Sequence, residues 1–196
     1  MTDGGQCDIK DIRKMFECFK KQNINFVELL FTQYRVINPI YETLYAPMLK
    51  NREMIARYNN FASINCMVGM MFEKYYALEH PYPSIIDKIE KYGYDPKQLH
   101  HIMRLWDFMH RYITDEPYED ILIPNDKEYI LSLKTAPVSL ESARNLAKGT
   151  VEKAELFKKC YMEDNGVKVN KDVEILMNQV TSNIIKESFR RELENV

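Results

Sequence analysis

The sequence is poor in the residues that staple small folds or build cofactor loops. Its 196 residues include four cysteines, six glycines and one tryptophan. Cys7, Cys18, Cys66 and Cys160 are scattered, with no CxxC or Cys/His ligand spacing, which excludes a structural zinc site. Free thiols and the lack of a signal-peptide pattern point to a reducing, cytoplasmic setting. The longest apolar runs, "FVELLF" and "CMVGMMF", are too short to cross a bilayer, so a soluble protein without membrane contact is expected. A Walker loop, a GxGxxG turn, a nucleophile elbow and an HExxH helix are all missing, and Gly4-Gly5 is an isolated pair.

Charge of one sign is missing too. Lys plus Arg number 27 and Asp plus Glu 29, which excludes a uniform basic field that captures nucleic acid indiscriminately but leaves room for a local patch. The acidic excess gathers in "TDEPYED" (Asp115, Glu116, Glu119, Asp120), which reads as a solvated turn, with an acidic docking patch as the alternative.

What the chain does have is helical periodicity nearly throughout. Asp8 or Asp11 can cap a first helix carrying Ile12, Met15, Phe16 and Phe19 at helical spacing. "NINFVELLF" follows with Asn25 as a cap, or as a short buried strand. Asn38-Pro39 opens a third element that Pro47 should kink or split. In "FASINCMVGMMFEKYYALEH", Ile64, Met67, Met71, Tyr75 and Leu78 make one stripe, widened by Val68 and Phe72. Gly69 in its middle suggests the close approach of another helix. "HPYPS" stops that helix, Ser84 caps the next and Gly93 ends it.

Asp95-Pro96 opens the most informative helix. Leu99, Ile102, Met103, Trp106, Met109 and Ile113 form one apolar face, and Leu105, Phe108 and Tyr112 a second. The polar strip between them carries Lys97, His100, Arg104, Asp107 and Arg111, with His101 at its margin. Positions 97, 101 and 104 lie one turn apart, so an ammonium, an imidazole and a guanidinium can converge on one anion. Arg104 also has a competing local partner in Asp107. His80 and His110 are weaker candidates. Beyond this helix, Asn125 caps a short segment, Ser139 or Ser142 starts a long one, Gly166 ends it and Asn170 opens the last. That last helix should bury Ile175, Leu176, Val180, Ile184, Ile185 and Phe189. The expected fold is all-α, a single domain (1–196) of about eight helices.

Four stretches in order, "DIRKMFECFKKQNINFVELLF", "GMMFEKYYALEHPYPS", "KYGYDPKQLHHIMRL" and "EYILSLKTAPVSLESARNLA", resemble the RNA-repair-associated nucleotidyltransferases of the DNA polymerase β superfamily. The likeness runs over nearly the whole chain and implies the C-terminal helical portion of such an enzyme. In that family an N-terminal catalytic fold carries a Gly-Ser loop for the nucleotide and an Asp-x-Asp pair for two magnesium ions. Neither motif occurs here. The resemblance makes residues 1–10 a candidate remnant of the catalytic-sheet edge and Asp8 a candidate remnant of a third carboxylate. It matches Lys97, His101 and Arg104 to the helix that faces nucleotide or RNA, and Glu73 and Lys74 to the preceding helix.

Two-metal nucleotidyl transfer needs carboxylates that clamp both ions. The expectation is therefore a non-catalytic binding protein without catalytic residues, metal ligands or cofactor, acting on a protein or nucleoprotein partner. A phage or mobile-element inhibitor of a nucleic-acid-targeting defence complex, anti-CRISPR in kind, is one such setting. The alternative is an RNA-, DNA- or nucleotide-binding accessory module using Lys97, His100, His101 and Arg104. A catalytic domain encoded just upstream is another way to account for the missing motifs.

Overall fold

The structure, a computed structural model, describes residues 9–135 and 137–194. Asp8 and Cys7 lie outside the described residues, as does most of the 1–10 segment. The fold is all-α, about 75% helical, with eleven α-helices and no strand among the described residues. In chain order they are α1 (Ile12–Lys20), α2 (Ile24–Val27), α3 (Pro39–Lys50), α4 (Arg52–Ala56), α5 (Asn60–Ala77), α6 (Ile86–Tyr92), α7 (Pro96–Tyr112), α8 (Tyr118–Ile121), α9 (Lys127–Thr135), α10 (Leu140–Asn165) and α11 (Lys171–Glu194). The excess over eight comes from short helices at α2, α4 and α8. The chain divides into two compact units, residues 1–58 with 169–196, and residues 59–168.

In the first unit Asp11 caps α1 by accepting the Arg13 N–H at 2.8 Å, and α1 packs against α2 and α11 through buried Phe16 and Phe19. "NINFVELLF" is not a strand. Asn23, not Asn25, caps it, and a 3-10 turn at Glu28–Leu30 continues α2. Ile24, Val27, Leu30 and Phe31 then recur at helical spacing and are all buried. Gln22 sits at φ 51, and its buried amide Nε2 donates to the carbonyls of Phe19 and Ile55, both at 2.9 Å. Those bonds tie the end of α1 to α4. Helix α3 passes through Pro47 and breaks four residues later at Asn51, whose backbone and side-chain N–H groups both donate to the Pro47 carbonyl.

Helix α11 buries Val180 and Ile184 as expected, but the rest of its packed face differs. Val173, Met177, Val180 and Ile184 are its buried residues, whereas Ile175 and Phe189 are 52% and 61% exposed. Two apolar stripes overlap on this helix, and the one containing Val173 and Met177 packs.

In the second unit α5 packs against α7 and α10, and α7 packs against α5, α8, α9 and α10. Ile64, Met67, Val68, Met71 and Leu78 are buried as expected. Gly69 is not a point of close approach, because a Cβ there meets nothing within 4 Å. Ser84 does not cap α6. The helix starts at Ile86, after Ile85, without a side-chain cap. Gly93 ends it at φ 80, and Asp95 caps α7 by accepting the Lys97 N–H at 3.1 Å. Asp126 replaces Asn125 as the cap of α9, accepting the Tyr129 N–H at 2.8 Å. Ser139 caps α10 and Gly166 ends it. Buried Tyr112 donates its hydroxyl to Ser63 at 2.8 Å, joining α7 to α5.

The two glycines should respond oppositely to alanine. Gly69→Ala should stabilise the protein by up to about 1 kcal/mol through helix propensity alone. Gly93→Ala should destabilise it by at least about 1 kcal/mol, from the left-handed backbone and because a Cβ would meet Leu140 Cδ2 at 2.9 Å. Thermal unfolding of the two variants checks both signs.

Candidate functional site

Helix α7 is buried along two faces. Leu99, Ile102 and Met109 line one, and Leu105, Phe108 and Tyr112 the other. Met103 and Trp106 are only half-buried, and Ile113 falls beyond the helix end and is exposed. Between the faces runs the polar strip, whose two ends serve different purposes.

The C-terminal end of the strip is structural. Arg111 donates to Glu116 at 2.7 and 3.0 Å, to the Ile123 carbonyl at 2.5 Å and to the Asp120 carbonyl at 3.1 Å. Asp107 lies 3.8 Å from Arg111 and accepts the Asn125 N–H at 3.4 Å. These bonds hold the acidic 115–120 stretch on the helix, where α8 buries Tyr118 and Ile121. The stretch is a tethered turn at Glu116, with Asp115 and Asp120 exposed.

The N-terminal end gathers cations. Lys97 is exposed, and His100, His101 and Arg104 are half-buried. The two imidazoles lie edge to face with ring centres 5.3 Å apart. Burial first, then the charges of Lys134, Arg104 and Lys97, lowers the His100 pKa. Burial first, then His100, Lys97, Lys74 and Arg104, pushes His101 down to about 4 from 6.5. Both rings are therefore neutral at physiological pH and each offers one N–H donor. His100 Nδ1 is buried with no hydrogen-bond partner among the described residues. Lys74 of α5 pairs with Glu73 at 2.9 Å. Neither Lys97 nor Lys134 has a carboxylate within ion-pair distance among the described residues.

Beside this cluster a cavity of about 280 Å³ opens between α6, the start of α7 and α9. Lys88, Lys91, Lys97 and Lys134 line it together with Asp87 and Asp95. Asp95 is 1% exposed and fully engaged, accepting from the Lys97 N–H and from Gln98 Nε2 at 3.0 Å, with Lys88 Nζ at 3.8 Å. The sequence pattern groups Lys97, His100, His101 and Arg104 because one helix, α7, carries all four. It missed Lys88, Lys91 and Lys134, which come from other helices and line the cavity together with Lys97.

The weaker candidates are accounted for. His110 Nδ1 lies 2.9 Å from the Trp106 carbonyl and its ring packs between Trp106 and Phe157. His80 is exposed and rests on Tyr82. No three His, Cys, Asp or Glu side chains among the described residues gather closely enough to hold a metal ion, and no helix there is long and apolar enough to cross a membrane.

The first unit has a larger cavity that the sequence pattern did not reveal, about 800 Å³ and mainly apolar. Ile12, Leu29, Val36, Tyr41, Tyr45 and Phe189 are among its walls. Of the charged side chains there, Arg13 pairs with Asp11 at 2.9 Å and Arg35 donates to the Thr32 carbonyl at 2.7 Å. Burial raises the Tyr45 hydroxyl pKa against the opposing charge of Arg35.

Protein-family models, curated proteins and solved structures offer no match to this chain. The site must be understood from its own chemistry.

The histidine pair gives that chemistry a direct readout. In an NMR titration the His101 ring should change protonation near pH 4, and Lys97→Ala should move the midpoint upward. The folded value lies below the unfolded one, so the unfolded chain binds the proton first as pH falls. Stability should therefore decline as pH drops from about 6.5 toward 4. His101→Gln should remove that part of the decline in urea-unfolding midpoints.

Proposed function

We propose that this chain is a non-catalytic nucleic-acid-binding protein that engages RNA or DNA, bare or within a nucleoprotein complex, through the N-terminal part of the α7 strip. The observation that carries this reading is the cation cluster of Lys97, Arg104 and Lys134 around two neutral imidazoles, with Lys97 and Lys134 lacking carboxylate partners among the described residues.

The chemistry suits phosphate. Arg104 offers a planar fork that matches two phosphate oxygens, and the lysines supply mobile point charges. Neutral histidines add hydrogen-bond donors without the desolvation cost of two further buried charges. On a chain of net charge −2 such a patch gives local attraction without general stickiness toward polyanions. Contacts of this type set position along a strand and carry little sequence information.

The resemblance to RNA-repair nucleotidyltransferases supports the same reading, since Lys97, His101 and Arg104 are the residues it matches to the phosphate-facing helix. The non-catalytic part rests on the missing Asp-x-Asp pair, without which two ions cannot be clamped for nucleotidyl transfer.

Fluorescence anisotropy with labelled single-stranded RNA and DNA tests the proposal. Affinity should fall steeply between about 50 and 200 mM salt. Lys97→Ala with Arg104→Ala should weaken binding to every sequence alike and reduce the salt slope by about one per cation removed. Lack of binding by the wild-type protein at low salt would overturn the assignment.

A further inference from the structure

The geometry points to a phosphate monoester, a terminal phosphate rather than an internal one, as the group held in the cavity between α6, α7 and α9. This inference rests on the nucleic-acid reading above and deepens it by naming the ligand group. Three features carry it: the shape of the site, its charge and the elements that build it.

The site is concave, whereas the strip on α7 is a surface. An internal phosphodiester runs past a protein with sugar on both sides, so a cationic ridge suits it. A terminal phosphate has one covalent attachment and can enter a recess. The volume of about 280 Å³ lies just under the roughly 300–1,000 Å³ of pockets that enclose whole drug-sized ligands. That scale suits a charged head group with the rest of its molecule outside.

The charges do not cancel. Lys88, Lys91, Lys97 and Lys134 face Asp87 and Asp95, which leaves two positive charges on the wall. An internal phosphodiester carries one negative charge. A monoester carries about −1.5 to −2 near neutral pH and matches the excess. Asp95 turns its oxygens away from such a group, to the Lys97 N–H, the Gln98 amide and the Lys88 ammonium.

The lysines converge from separate elements. Lys88 and Lys91 are three residues apart and share one face of α6, Lys97 stands in the first turn of α7, and Lys134 closes from the last turn of α9. Lys91 also lies over the Tyr92 ring, 4.8 Å from its centre, which limits where its ammonium can point. Asp95 both caps α7 and lies beside Lys88, so the cap fixes the floor of the recess.

Two sources can present this group, the phosphorylated end of a strand and a free mononucleotide. The test uses short single-stranded oligonucleotides of one sequence bearing a 5′-phosphate, a 3′-phosphate or hydroxyl ends, with binding followed by anisotropy. At least one phosphorylated form should bind about tenfold more tightly than the hydroxyl-ended one. In the K88Q/K91Q variant, with folding verified by thermal unfolding, that difference should vanish. Displacement of the phosphorylated oligonucleotide by a free mononucleotide at similar concentration would assign the site to free nucleotide, and resistance to it would assign the site to strand ends. Equal wild-type affinity for all three oligonucleotides would overturn this inference while leaving the nucleic-acid reading intact. A preference that persists in K88Q/K91Q would overturn the placement in this cavity. Lack of binding by every oligonucleotide at low salt would overturn both readings.

Discussion

The second unit depends on the burial of α7 along two faces. A helix enclosed on both sides has only a narrow strip left for its polar groups, and its imidazoles are drawn partly out of water. Lysine and arginine can run their stems along apolar surface and keep their charges at its edge. Histidine has no such reach, so His100 and His101 lose solvation and, beside like charges, lose their protons. The same packing that stabilises the unit thus sets the protonation of the site.

Polar side chains at element junctions do much of the remaining positioning. Gln22 bridges two carbonyls in the first unit, and Tyr94 donates its hydroxyl to the Val138 carbonyl at 2.9 Å in the second. The Gln22 bonds satisfy buried carbonyls that would otherwise be costly to desolvate, and the Tyr94 bond anchors the segment leading into α10. Arg111 ties the 116–123 stretch to α7 with four hydrogen bonds, two to the Glu116 carboxylate and one each to the Asp120 and Ile123 carbonyls.

Local signals in the sequence were legible where one residue decides the outcome. Asn38-Pro39, Asp95-Pro96, Gly93 and Gly166 all act as their chemistry dictates. Signals failed where neighbouring residues compete for one role. Asn23 and Asn25, or Asn125 and Asp126, are equally able caps, and only the packed register selects between them. The face of α11 was ambiguous for a similar reason, with two apolar stripes available and tertiary packing choosing one. On the site, residues of one helix were readable from their spacing. Lys134 stands on a different helix from His100, and its charge reaches that ring only through the fold.

One further property follows from Asn60. Its side chain accepts the Lys168 N–H at 2.8 Å and donates to the Gly166 carbonyl at 3.0 Å, so the first and last residues of the 59–168 stretch are clasped together. A stretch whose two ends meet can enter or leave a host chain at a single point, as transposable domains do. The second unit has the anatomy of a cassette, with the rest of the polypeptide drawn from the sequence on either side.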